Sequence, residues 1–323
     1  MDETRRRLLA LALASLAGSA MAQGLPKGPV RITSTFPTGS GPDTVARLVA
    51  EKLQAQWNQP VVVDSRPGGA GVVGINAVKA APPTGADLVV VDVGNLSINP
   101  LIFKKLAYDP QKDLVPVAVL YKTTFFVAVA ADGPYRTLKD LLAAITAKPG
   151  AVRYGSSAVG GPLHLASAQL QHALGADMLH VPFKETSQLY AAVATREVDW
   201  AYGSIATAGP LVRAGKLRFL AVGDRARSPV LPEIPTLEEA GGPRDVHAQT
   251  WVALMAPQGT PDAVAKKINQ AVNEALEQPD VKERLAGFGF VPSPGPVQQV
   301  VDLMQGDRAR YAEVVKRVKV SIE

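Results

Sequence analysis

The chain has 323 residues, of which 47% are apolar and 20% are charged, and its formal net charge is +5. This balance is ordinary for a globular protein, and the length predicts two domains. Cysteine is absent, which excludes disulfides, thiolate metal sites and a cysteine nucleophile. Lysine and arginine are scattered beyond the N-terminus, so no nucleic-acid partner is expected.

The N-terminus has the pattern of a secretory signal peptide, residues 1–22. Three arginines at 5–7 precede an apolar run at 8–17, and residues 20–22 form an A-x-A cleavage motif. The apolar run is too short to span a membrane, and no later stretch approaches 18 uninterrupted apolar residues. The pattern predicts an exported, periplasmic protein and leaves the secretory and twin-arginine routes both open.

Strand-like and helix-like segments alternate along the rest of the chain. Strands are predicted at 30–35, 61–64, 88–93, 117–120, 125–130, 152–154, 178–181, 198–202, 218–222 and 251–256. Helices are predicted at 44–57, 75–81, 138–147, 162–174, 187–195 and 262–276. This order predicts an α/β fold with mainly parallel sheets, in which ligands bind at loops beyond the carboxyl ends of strands.

The loop after the first strand, FPTGSGPD at residues 36–43, is small and polar. Gly39 and Gly41 allow the backbone to turn with its N–H groups exposed, and the following helix start adds partial positive charge. Asp43 fits the N-cap of that helix. The pattern is typical of an anion-binding loop, but a plain tight turn with a helix cap fits this segment alone at least as well.

A second loop, YGSSAVGGPLHLA at residues 154–166, repeats the design. Ser156, Ser157, Gly160 and Gly161 lie between a strand and a helix that begins at Pro162. Two such loops in separate halves of the chain suit two domains that hold one carboxylate from both sides of a cleft.

Three other kinds of site fit the sequence less well than a carboxylate-binding cleft. Residues 69–74 match G-x-G-x-x-G, but Ser65, Arg66 and Pro67 intervene after the preceding strand, which disfavours a dinucleotide site. An exported serine hydrolase using Ser156 or Ser157 with His164 is the alternative function, although no G-x-S-x-G motif is present. The four histidines lack metal-binding spacing, so no metal and no cofactor are expected.

These segments, in this order, resemble the substrate-binding proteins of tripartite tricarboxylate transporters, the Bug-type family. The resemblance covers essentially all of the chain after residue 22. It is carried by FPTGSGPDTVARLVAEKL, VVVDSRPGGAGVVG, YDPQKDLVPVAVL, HVPFK and RSPVLPEIPTLEEAG, among others. Each segment is modest alone, whereas their order and spacing together are specific.

The resemblance implies a hinged, two-lobed periplasmic-binding-protein fold of the type II kind, the Venus flytrap. It implies a monomer without catalytic activity that delivers a small carboxylate to the membrane permease subunits of its transporter. The chain is expected to cross into the second domain near Phe125 and return near Thr250. Domain 1 then comprises residues 23–124 and 250–323, and domain 2 comprises residues 125–249.

The resemblance also implies a set of ligand-binding residues. The first domain is expected to contribute Phe36, Pro37, Thr38, Gly39, Ser40 and Asp43. The second is expected to contribute Ser156, Ser157, Gly160 and His164, and Asn95 and Tyr202 are expected to line the remainder. Glu185 stands after HVPFK, where the family usually has a small residue. It is either a surface acid at a helix start or a partner for a ligand amine or hydroxyl.

Overall fold

The alternating strand and helix patterns fold into two lobes, each built on one β-sheet flanked by helices. The computed structural model describes Gly24, residues 28–318, Ser321 and Ile322. The signal peptide predicted at residues 1–22 lies outside this described part. The predicted two-lobed α/β fold is confirmed by the structural similarities reported below.

The strands form one sheet of six and one sheet of five. In chain order the strands are β1 Val30–Ser34, β2 Val61–Ser65, β3 Asp87–Asp92, β4 Leu114–Thr124, β5 Phe126–Ala130, β6 Arg153–Ser156, β7 Leu179–Pro182, β8 Trp200–Gly203, β9 Leu217–Val222, β10 Gln249–Pro257 and β11 Phe290–Pro292. The first sheet has the order β11-β4-β10-β3-β1-β2, and the second has the order β7-β6-β8-β5-β9. The first lobe is the part built on the first sheet, and the second lobe is the part built on the second.

Helices cover the faces of both sheets. They are α1 Gly41–Trp57, α2 Val72–Lys79, α3 Asn99–Ile102, α4 Pro110–Asp113, α5 Leu138–Ala147, α6 Pro162–Leu174, α7 Thr186–Ala194, α8 Gly209–Arg213, α9 Asp262–Glu277, α10 Pro279–Gly287 and α11 Gln298–Val318. A π-helical turn, Gly94–Ile98, precedes α3. Such turns are rare in proteins, and those that occur are often at functional sites.

One detail of the prediction is corrected: the sheets are mixed rather than mainly parallel. β1 pairs in parallel with β2 and β3, and β6 pairs in parallel with β7 and β8. β10 runs antiparallel to both of its neighbours, and so does β5. β5 and β10 run antiparallel because each of them follows a point where the chain crosses between the lobes, and each therefore enters its sheet from the side of the other lobe.

These strand directions place the important loops on facing edges of the two sheets. β4 ends and β5 begins beside Phe125, whose backbone bonds to Ala248 and Gly223 at 2.9 and 2.8 Å. β1 to β4 share one direction in the first sheet, and β6 to β9 share one direction in the second. Their carboxyl ends therefore all lie toward the other lobe, where ligands bind in open α/β sheets.

Two contacts join the lobes away from this chain crossing. Leu165 of α6 is fully buried in a core cluster of the first lobe, together with Trp251 and Tyr311. Ile205 of the second lobe packs so closely on Gly289 that a Cβ at that glycine would lie 2.6 Å from it. The lobes are therefore in apolar contact in this conformation.

Candidate functional site

A cavity of about 370 Å³ lies between the lobes, beyond the carboxyl ends of β1, β2, β3 and β6. Its lining is drawn from the segments 35–37, 67–71, 92–103 and 158–162, with Ile322. Four of the predicted site residues line it: Phe36, Pro37, Asn95 and Gly160. Both predicted loops therefore contribute to the cavity, and the segments after β2 and β3 supply most of the remaining lining.

The polar loop after β1 is closed by its own hydrogen bonds. Thr38, Gly39 and Ser40 do not line the cavity. The Gly39 amide donates to Asp43 Oδ2 at 2.9 Å, and the Ser40 amide donates to the Pro37 carbonyl at 3.1 Å. Two of the amides predicted to be open to an anion are thus occupied inside the loop.

The prediction that Asp43 is a helix N-cap is wrong. α1 begins at Gly41, because a proline at the next position suits a first turn, and Asp43 lies within that turn. Its buried carboxylate accepts hydrogen bonds from the Ser65 hydroxyl at 2.6 Å and from Arg47 Nε at 2.9 Å. Burial raises the pKa of Asp43, but these bonds and that of the Gly39 amide outweigh it and lower the pKa. Asp43 therefore fastens the loop to β2 and does not line the cavity.

The glycine-rich loop after β2 forms part of the cavity wall. Residues 68–71 all have positive φ, with values of 126°, 55°, 52° and 89°. Ala70 is strained there because its side chain disfavours this conformation. Its carbonyl accepts from Asn95 Nδ2 at 2.7 Å and from Asn99 Nδ2 at 2.9 Å, which hold the loop in place. A Cβ on Gly71 would lie 2.3 Å from Asn95 Nδ2, so only glycine fits that position.

Asn95 ties together the loops of the first lobe. Its Oδ1 accepts from the Asp92 amide at 3.2 Å and from Thr35 Oγ1 at 3.4 Å. The Tyr108 hydroxyl donates to the backbone carbonyl of Asn95 at 2.7 Å. With the bond to Ala70, the buried Asn95 side chain contacts the segments that follow β1, β2 and β3. It is predicted to line the cavity, and in the structure it also orders that wall.

The loop after β6 presents unpaired backbone donors at the other wall. Ala158 and Val159 line the cavity, and among the described residues no group accepts from their amides. The Gly160 amide donates to His164 Nδ1 at 3.0 Å, and the Gly161 amide donates to the Ala158 carbonyl at 3.2 Å. Since α6 begins at the next residue, its N-terminus adds partial positive charge at this wall.

A layer of rings supports this loop from behind. The His164 and His180 ring centroids are 4.2 Å apart, and the Tyr154 ring lies 4.9 Å from His180. Burial, with the neighbouring His164, lowers the pKa of His180 to about 4, and burial lowers the pKa of His164. Ser156 Oγ is 2.8 Å from His180 Nε2. The alternative pairing of Ser156 with His164 is therefore wrong, because β7 places His180 beside the end of β6.

The remaining predicted residues lie outside the cavity lining. Ser157 is exposed, and His164 acts from beneath the loop. Tyr202 is only 1% exposed, and its ring meets Trp200 edge to face at 5.2 Å in the core of the second lobe. Glu185 is exposed immediately before α7 and does not line the cavity, which corresponds to the surface alternative.

Sequence reasoning missed two features of the site. The glycine-rich segment 68–71 is not among the predicted ligand-binding residues, although its position after a strand, at the carboxyl edge of the sheet, is a signal for such a role. Asp92 also lines the cavity, and it is the one ionisable side chain among the described lining residues. Lysine, arginine and histidine are absent from the described lining, so neutral hydrogen-bond donors would have to stabilise an anion there.

The described part of the chain contains neither a metal-binding cluster nor a membrane-spanning helix. No group of three or more histidine, aspartate or glutamate side chains in that part of the chain is placed to hold a metal ion. None of the helices formed by the same residues is both long and apolar enough to span a bilayer.

The chain is similar over most of its length to several known proteins. The family model "Tripartite tricarboxylate transporter family receptor" matches residues 45–320. A protein of Pseudomonas sp. strain P51, described as "UPF0065 protein in tcbD-tcbE intergenic region", is 32% identical over 98% of this chain and 95% of its own length. MatC from Rhodopseudomonas palustris with bound malate is 29% identical, with a TM-score of 0.77 over 90% of this chain and all of that one. A second R. palustris protein, with adipate, is 28% identical, with a TM-score of 0.82 over 92% of this chain and 99% of that one.

Proposed function

Because the chain belongs to the tripartite tricarboxylate transporter receptor family, we propose that it is a solute-binding protein that captures a small carboxylate between its lobes. It delivers that solute to the membrane permease of a tripartite transporter. It acts in the periplasm as a monomer after removal of residues 1–22. The malate and adipate in two structural neighbours support a carboxylate ligand.

The observation that carries this proposal is the presence of unpaired amides on both walls of one cavity. Gly68 and Ala70 line it from the first lobe, and Ala158 and Val159 line it from the second. Within the described residues, none of these four amides donates to a protein group. Backbone donors in such loops, beside a helix N-terminus, bind anions without a cationic side chain.

The division of the chain that we propose follows the two sheets. Residues 23–124 and 250–323 form domain 1, and residues 125–249 form domain 2. The hydrogen bonds that join Phe125 to Ala248 and Gly223 support a hinge at this crossing. Closure about the hinge brings the loop after β6 toward the glycine-rich loop, and the closed form docks on the permease.

The serine hydrolase alternative receives no support from the site. Ser156 is buried and pairs with His180, whose pKa of about 4 makes it a weak base near neutral pH. Neither side chain lines the cavity. We infer that the protein binds its solute without transforming it.

Calorimetric titration and thermal unfolding of residues 23–323 with a panel of carboxylates test the proposal. At 100 times its Kd, a bound carboxylate should add about 2.7 kcal/mol to the free energy of unfolding. Val159→Asp places a negative charge beside the open amides and should weaken that binding about tenfold or more. Val62→Asp, at a similarly exposed valine on β2, is the matched control and should leave Kd unchanged. The absence of any stabilising carboxylate, or an equal effect of the two variants, would overturn the proposal.

A further inference from the structure

Asp92 is the charged group that the described residues bring to the cavity. It ends β3, is partly exposed, and lines the cavity directly. Its Oδ1 accepts from the Asn95 amide at 3.0 Å, and the amides of Gly94 and of Asp92 itself also bond the carboxylate. No side chain of the described residues donates to it, so backbone amides are its only protein partners there, at the wall of a site proposed to bind an anion.

The surroundings of Asp92 give it no cationic partner. The described lining contains no lysine, arginine or histidine, and the nearby Arg66 is bound to Asp64 at 2.7 Å. Burial raises the pKa of Asp92, although the amides of Asn95 and Gly94 act in the opposite direction. A carboxylate so placed is stabilised when a cation or a strong donor is brought against it.

We propose that Asp92 is a specificity-determining residue that pairs with an ammonium group of the ligand, so that the solute is an aminocarboxylate. This inference rests on the proposed function, because the carboxylate end of the same ligand meets the open amides of Ala158 and Val159. Opposite ends of one zwitterion then meet opposite electrostatic partners. A dicarboxylate would instead bring a second negative charge toward Asp92, which is unfavourable at short range.

Asp92 also has a structural role that must be separated from this one. Its Oδ1 accepts a hydrogen bond from the Asn95 amide at the start of the π-helical turn, as a capping side chain does. Asp92→Asn keeps an oxygen at that position and removes the charge, so capping and ligand recognition respond differently. Asp87→Asn is the matched control, because Asp87 is the partly buried residue at the opposite end of β3 and does not line the cavity.

The experiment measures Kd by calorimetry for pairs of compounds that differ in one amino group. The pairs are succinate and aspartate, glutarate and glutamate, propionate and β-alanine, and butyrate and 4-aminobutyrate. In the wild-type protein, the amino member of at least one pair should bind about tenfold more tightly or better than its partner. Asp92→Asn should abolish that preference, and Asp87→Asn should keep it.

Each other outcome has a distinct meaning. Tighter binding of the deaminated members, unchanged in Asp92→Asn, overturns the inference and leaves the proposed function standing. A second result also overturns the inference: dicarboxylates bind the wild-type protein more weakly as the pH rises, and they still bind Asp92→Asn. Asp92 would then donate a hydrogen bond as the neutral acid, and the side-chain amide of the variant would donate in its place. Binding of none of the eight compounds overturns the inference, whereas the proposed function is overturned only if the wider panel of carboxylates also fails to bind. If Asp92→Asn lowers the melting temperature, the preference of the wild-type protein still decides between these outcomes.

Discussion

The two walls of the cavity are constructed in different ways. The wall of the first lobe is held by buried side-chain hydrogen bonds that centre on Asn95 and join three loops. The wall of the second lobe is a short loop held to its helix by one side-chain bond, from the Gly160 amide to His164. The first wall also carries Asp92, whereas the second offers only backbone donors. We infer that the first wall sets the shape and selectivity of the site and that the second supplies the general affinity for anions.

The largest test of this difference is Asn95→Ala. It removes bonds to Ala70, Asp92 and Thr35 at once and leaves buried polar groups unpaired. We expect a loss of about 2–4 kcal/mol in the free energy of unfolding and at least about tenfold weaker ligand binding. Urea denaturation and calorimetry measure the two effects.

Asn273→Ala is the control for that variant. Asn273 bonds the backbone of Gly295 through both side-chain atoms, far from the cavity. It should lower stability by a similar mechanism without changing Kd. Equal effects of the two variants on Kd would contradict the role assigned to the Asn95 wall.

A smaller effect is expected from Gly71→Ala, which tests whether the glycine-rich loop is fixed against Asn95. Gly71 has a φ of 89°, and its added Cβ would lie 2.3 Å from Asn95 Nδ2. Gly150→Ala has a similar φ of 80° but nothing within 4 Å of the new Cβ. We expect about 2–3 kcal/mol of destabilisation for Gly71→Ala and about 1 kcal/mol for Gly150→Ala. Only Gly71→Ala should weaken ligand binding. An equal increase of Kd in both variants would show that the contact with Asn95 is unimportant.

Acidification should act on the layer of rings behind the second wall. Since burial lowers the pKa values of His164 and His180, the unfolded chain takes up protons first as the pH falls. The free energy of unfolding should therefore be fully present above about pH 6.5 and decrease as the pH falls toward about 4. Protonation of His164 Nδ1 also removes the acceptor of the Gly160 amide.

Hydrogen exchange read residue by residue can locate that pH effect. Between pH 6.5 and 4, after correction for the intrinsic pH dependence, the Gly160 amide should lose protection. The amide of Gly71, which donates to the Gly68 carbonyl at 3.0 Å in the first wall, should keep it. Equal loss at both positions would show that the two walls unfold together.

The sequence predicted the frame of the molecule better than the details of the site. Long periodic segments such as 162–174 and 138–147 were predicted with the same bounds as α6 and α5. The short helices at 99–102, 110–113 and 209–213 were missed, because four or five residues show no full period. The amphipathic segments 279–287 and 298–318 carried enough pattern to be found and were not assigned.

Within the site, local chemistry was predicted and long-range pairing was not. The small polar loop after β1 does end at the cavity through Phe36 and Pro37. The Gly39 amide of that loop donates to Asp43, which is held in turn by Ser65, 22 residues away in sequence. The links from Asn95 to Ala70 and from Ser156 to His180 likewise join segments that only the folded sheet brings together. Spacing along one sequence does not determine such contacts.

The smallest expected effect is that of Ser157→Ala. Ser157 was predicted to bind the ligand, but its side chain is exposed and does not line the cavity in this conformation. We therefore expect Kd to change by about twofold or less, within the range of a surface substitution. A loss of about tenfold would instead mean that ligand binding turns the loop and brings the hydroxyl against the carboxylate. Calorimetry on Ser157→Ala beside Ser187→Ala, an exposed serine on α7, separates these outcomes, and the larger loss would place the mobile element of closure in the second wall.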